Sequence, residues 1–280
     1  MTNEDQNKEK VVMLIGNGFD LNLGLKTSYK DFLASEQFEE YKKKGSLLAK
    51  HLSDKNELNN WIDIENELKI YSKDVYNSQD RKRFKTDYLN LCEYLCSYLN
   101  SIDYETIDID SEVYQLFIKL IKLDNTQIYI YDFNYTESAS KIIEDNKVDQ
   151  KAETHIIKVH GSAADNKIVF GVEDNAYINL YDSFLYKSGS HYYNSEININ
   201  EELKTTNEIV VIGHSLGETD HFYFKRFFQD QAMSYSKSKN FIFTYHTEDG
   251  WDALMRQLQD LTLSHLADFR SNNDNNFIKI

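Results

Sequence analysis

Proline is missing altogether from the 280 residues, so turns must be made by glycine, asparagine, aspartate and serine. Cysteine is nearly missing too. Cys92 and Cys96 sit one helical turn apart in "NLCEYLCSYL", among Leu89, Leu91, Leu95 and Leu99. That spacing describes a helix face with two small buried thiols. No further metal ligands stand nearby in sequence, so neither a structural zinc nor any other metal is expected. Positive charge is short as well, with a formal net charge of −15. Affinity for phosphate backbones comes mainly from clustered Lys and Arg, so no nucleic-acid partner is expected. The short clusters "KEK", "YKKKG" and "DRKRFK" read as solvated helix faces or turns. Long apolar runs are also lacking. "VVMLI" and "IVVI" fall far below the roughly 20 residues needed to cross a bilayer, so no membrane association is expected. The opening "MTNEDQNKEK" has no apolar signal region, and a cytoplasmic protein is the expectation.

What remains is the composition of a globular chain, 41% hydrophobic with a negative mean hydropathy. Its length allows one large core, or one core with a smaller module. Short β-branched or aromatic runs predict strands at 11–15, 127–133, 154–161, 167–172, 208–213 and 240–246. Helical periodicity fills most of 35–123 and recurs between the later strands. The pattern predicts an α/β fold: a Rossmann-like parallel sheet of about six strands flanked by helices, with an α-helical insertion. The sheet domain would comprise 1–35 and 125–280, and the insertion 36–124. Residues 174–206 read as irregular, and the tail "SNNDNNFIKI" as frayed. In "NWIDIENEL", Trp61 beside Asp63, Glu65 and Glu67 reads as a packed helix with an acidic outer face.

Several strand ends carry residues able to do chemistry. In "LIGNGFDLNLGL", Gly16 and Gly18 follow a buried strand, where a bare backbone lets a phosphate approach or simply turns the chain. In "YDFNYTES", Asn134 follows a strand and either meets a ligand or caps the next helix. In "IIKVHGS", His160 precedes Gly161 and is either a general base or a hydrogen-bonded structural residue. In "IVVIGHSLGETDHFYF", Gly213-His214-Ser215-Leu216-Gly217 matches the nucleophile elbow of serine hydrolases. Asp252 and His265 are its available triad partners, but "GETD" intervenes before the helix that an elbow should enter at once.

The stretches "LIGNGFDLNLGLKTSYKDFL", "NWIDIENEL" and "IVVIGHSLGETDHFYF" together resemble the AbiH-type abortive infection proteins of bacterial phage defence. More distantly, the strand ends resemble the sirtuin-like NAD-consuming fold. That second resemblance implies a glycine loop at Gly16, Asn17 and Gly18, with Gly24 and Leu25 matching a later Gly-Ile. It implies the family asparagine at Asn134, a catalytic histidine at His160 beside Gly161, and a late loop at Gly213, Ser215 and Leu216. Asn17 departs from an alanine, Asp20 from a serine, and Thr136 from an aspartate; no proline follows Leu25. The four zinc cysteines of protein deacetylases are absent, so protein deacylation is not expected.

The implied function is an abortive infection effector that hydrolyses NAD to ADP-ribose and nicotinamide. In it Gly16 and Gly18 cradle the pyrophosphate, Asn134 orients ribose and water, and His160 is the general base. Asp20 lies near the nicotinamide ribose, while Ser215 and Asp220 meet the adenosine side. NAD is then the substrate, a phage-derived component the trigger, and a homo-oligomer a possible assembly, with the insertion capping the crevice or making the oligomer contact. A non-catalytic nucleotide-binding sensor and a hydrolase using Ser215 are the alternatives.

Overall fold

The computed structural model describes residues 8–59, 63–75, 77–233 and 236–280. Trp61 lies outside the described residues. The chain divides into two compact units. The first comprises Met1–Leu25, Tyr104–Val159 and Ser195–Ile280; the second comprises Lys26–Asp103 and His160–Asn194. The segment expected as the helical insertion is shared between them, 36–103 in the second unit and 104–124 in the first.

The first unit is built on a parallel six-stranded sheet flanked by helices. Its strands are β1 (Glu9–Ile15), β2 (Thr126–Asp132), β3 (Glu153–Lys158), β6 (Glu208–Ile212), β7 (Asn240–Tyr245) and β8 (Asp274–Lys279). They lie in the order β3-β2-β1-β6-β7-β8. Counted within the sheet alone, this is the 3-2-1-4-5-6 order of a doubly wound fold, reversing direction at β1. Val11, Val12, Met13, Leu14 and Ile15 are all buried, as a central parallel strand covered on both faces requires. On one side Phe224, Phe227, Phe228, Phe241, Phe243 and Phe269 fill the core, with the helices His221–Ala232 and Leu266–Asn272 packed together there.

The tail expected to fray is the edge strand β8. It pairs with β7 from Asn240↔Asp274 to Tyr245↔Lys279. Its asparagines hid an alternating pattern in which Phe277 packs 5.2 Å from Phe243 and 5.1 Å from Trp251. The strand expected at 154–161 stops at Lys158.

The second unit is largely helical, with helices at Tyr29–Leu33, Glu36–Lys43, Leu47–Asn59, Ile64–Asp74 and Ser78–Leu99. Side-chain caps start several of them: Ser28, Ser35, Asp63 and Asn77 each accept from a backbone N–H in the first turn. The strand expected at 167–172 reduces to a small hairpin, β4 (Gly161–Ser162) against β5 (Lys167–Ile168). The acidic face expected on the helix Ile64–Asp74 is turned inward. Glu67 pairs with His51 at 2.9 Å and Glu65 with Lys187 at 3.4 Å, both carboxylates being buried. Cys92 and Cys96 pack in the helix Ser78–Leu99, where burial pushes their thiols up to about 12 and about 11. Both stay protonated at neutral pH. Among the described residues, no helix is long and apolar enough to cross a membrane.

Candidate functional site

Reversal of strand order at β1 brings the loops after β1 and β6 side by side, the position where doubly wound sheets open a crevice. In this chain those loops touch through bare backbone. Gly18 N–H donates to Gly213 O at 2.8 Å, and Gly16 N–H to Ile212 O at 3.3 Å. A Cβ on Gly18 would stand 2.7 Å from Gly213 O. One on Gly213, whose φ is +61°, would stand 2.0 Å from Phe19 N. Glycine is therefore required at both positions by the contact between the loops. Phe19 N–H returns to Gly16 O at 2.8 Å, so the amides of Gly16, Gly18 and Phe19 are all bonded within the chain. Gly24, at φ +80°, closes the short helix Asn17–Asn22 at its far end, where its N–H bonds Leu21 O.

A buried polar network ties the β1 loop to the β2 loop. Asp20 is completely buried and accepts from Thr136 Oγ1 at 2.6 Å and Ser138 Oγ at 2.5 Å. Asn134 Nδ2 donates to Gly16 O at 3.2 Å and reaches Asp20 Oδ1 at 3.5 Å. Its own N–H donates to Asp132 Oδ1 at 2.9 Å. The cap reading of Asn134 does not hold, because the next helix begins at Ser138 behind Glu137. Burial pushes the Asp20 carboxyl up to about 7, against the lowering effect of the two hydroxyls. Burial also raises Asp132, opposed by Lys158, whose Nζ lies 2.8 Å from its carboxylate.

Lys158 and Asp132 were not picked out by the sequence reading. They are register partners at the carboxyl ends of β2 and β3, and Lys158 also donates to Thr136 O. The signal was available: each is a charge closing an otherwise strand-like run.

Around the β6 loop, Leu216 rather than Ser215 holds the positive φ, +52°, and its N–H donates to His214 Nδ1 at 2.9 Å. His214 is buried against Phe133, ring centroids 4.3 Å apart, with Asp220 Oδ2 at 3.6 Å from its Nε2. Ser215 is exposed, and so is Asn17; Asp20 and Asn134 are buried. His265, a triad candidate from the sequence, precedes the helix Leu266–Asn272 and pairs with Asp268 at 3.0 Å. Ser215 lies past the carboxyl end of β6.

The family model for bacteriophage abortive infection AbiH matches residues 12–245, from β1 to the end of β7. The chain belongs to the AbiH family. That membership assigns it a role in bacteriophage abortive infection. Among curated proteins the chain has no match.

The remaining candidates in this AbiH-family chain, His160 and Gly161, belong to the second unit. His160 is buried, and its carbonyl accepts from Val169 N–H at 2.7 Å. Gly161 has φ +76°, and a Cβ there would stand 1.9 Å from Lys167 O, so the hairpin itself demands glycine.

Proposed function

We propose that this AbiH-family chain acts in abortive infection by binding a nucleotide at the ends of β1 and β6 and hydrolysing NAD. The observation that carries the reading is the doubly wound strand order, with the glycine-lined loops after β1 and β6 adjacent at the reversal. The 2.6 Å bond from Thr136 Oγ1 to Asp20 ties the loop after β2 to the loop after β1 beside that reversal.

In the reaction, the glycosidic C–N bond breaks with its electron pair leaving on the nicotinamide nitrogen. Water bonds to the ribose carbon and releases a proton, giving nicotinamide, ADP-ribose and H⁺. Asn134, held at Gly16 O, orients ribose and water. Asp20, wholly buried, acts as a positioning residue that fixes the loop carrying Asn134. Exposed Asn17 and Ser215 offer polar contacts for the nucleotide.

Nicotinamide release from NAD is the test, with parent and Asn134→Ala proteins measured together. Release by the parent, lost in Asn134→Ala, is the expected result. Equal release by parent and Asn134→Ala would sink the assignment. A second reading, nucleotide sensing without cleavage, is favoured by one observation: the carboxylate after β1 is sealed from solvent. It predicts ADP-ribose binding that Asn134→Ala weakens, with no nicotinamide released.

A further inference from the structure

The second unit carries a surface that neither the family role nor the nucleotide reading uses. The segment after Gly171 forms a 3-10 turn, Leu180–Leu185, anchored from beneath. Asp182 is fully buried, accepting from Ser72 Oγ at 2.7 Å and Arg81 Nη1 at 2.8 Å. Ser72 Oγ accepts in turn from Asn179 N–H at 3.0 Å. Phe184 packs 5.4 Å from both Phe84 and Tyr88. Above these anchors Tyr177 is 82% exposed and Tyr181 81%. Large rings held outward by buried contacts are unusual on a protein with no partner for them.

Tyr177 and the two rings of the turn each have a cation beside them. Lys73 Nζ lies 5.2 Å from the Tyr177 centroid, Arg81 Cζ 5.8 Å from Tyr181, and Lys85 Nζ 5.9 Å from Phe184. Two of the nearby acids are ion-paired, Glu173 with Lys69 and Asp182 with Arg81, while Asp174 and Asp80 bond the neutral Ser188 and Asn77. Asp74 and Asp174 are the exposed carboxylates that stand against the pattern. Lys73, Lys82 and Lys85 are exposed, and no ion pair engages them among the described residues.

We infer that this face binds single-stranded nucleic acid, the exposed tyrosines stacking on unpaired bases and the lysines meeting phosphates. Stackable rings interleaved with cations match that partner's alternation of π-faces and negative charge. An acidic peptide would satisfy the lysines and leave the rings unused. The whole-chain charge of −15 is an average and does not describe this face.

The test is fluorescence anisotropy of a labelled oligothymidine with the full chain, titrated across salt concentrations. Binding is expected, with log affinity falling against log salt at a slope of about −2 for three lysines. The double variant Tyr177→Ala/Tyr181→Ala should weaken binding about tenfold or more. Lys73→Glu/Lys85→Glu should weaken it and flatten the salt dependence, while Lys42→Glu should bind as the parent does. Circular dichroism of each variant checks that it is folded. No binding by the parent would overturn the inference. So would ring variants that bind as tightly as the parent, or a duplex bound as tightly as the single strand. Ring variants that alter only the sedimentation of the chain would also overturn it, because the face would then pair two copies.

Discussion

The sheet-end network of the first unit and the ring-bearing face of the second use similar side chains to opposite ends. In the network, buried Asp20, Thr136, Ser138, Asn134 and Asp132 bond to one another, and half-buried Lys158 closes it. On the face, Asp182 and Ser72 are sunk, and the tyrosines and lysines above them are exposed. A buried polar group needs its partners within the chain, so the network fixes one loop geometry and little else is free to vary. An exposed ring or lysine contributes little to folding and keeps its binding capacity for something outside. Closed chemistry is architecture here, and open chemistry is left over from folding.

The largest effect should come from the loop contact that frames the network. Gly213→Ala forces a Cβ within 2.0 Å of Phe19 N at a positive φ, where no flexible side chain can yield. A loss of about 3 kcal/mol or more is expected in urea unfolding. A variant as stable as the parent would mean the two loops are not locked together.

Next in size is the network itself. Asp20→Ala leaves the hydroxyls of Thr136 and Ser138 without their acceptor, and about 2–3 kcal/mol should be lost. Exchanging the pair, Asp20→Ser with Thr136→Asp, should restore much of that loss; no recovery would show the pair is not interchangeable. The pH dependence follows from burial. The folded state holds the Asp20 proton to about 7, against an ordinary 3.8. Its contribution is fully present below the ordinary value and is lost as pH rises through the folded-state one. Asp20→Asn should remove that slope between those values in thermal melts.

The smallest effect should be on the open face. Lys73→Ala and Lys85→Ala should each leave stability within about 0.5 kcal/mol of the parent. A larger loss in either would make the face part of the architecture, and the comparison would fail.

Much of the sheet could be read from local pattern. "VVMLI" and "IVVI" are buried on both faces, and short runs of that kind mark central parallel strands whatever surrounds them. β8 escaped because its signal is one stacked ring, Phe277, among asparagines, and an edge strand needs only one good face. Around the candidate site, the positions of Gly16, Gly18, Asn134 and Gly213 at strand ends were legible. The burial of Asp20 was not, since the hydroxyls that enclose it come from residues more than a hundred positions away. The inward turn of Glu65 and Glu67 was hidden because their partners, Lys187 and His51, come from other elements than their own helix.

The sequence by itself determined five of the six sheet strands, most of the helices and the glycines at the turns, because hydrophobic period and backbone permissiveness are properties of neighbouring residues. Which glycines meet, which carboxylates are sealed and which tyrosines are left in water was decided only by the tertiary structure. Those outcomes depend on register and packing between segments far apart in the chain, where a residue's environment is set by partners its own neighbours do not specify.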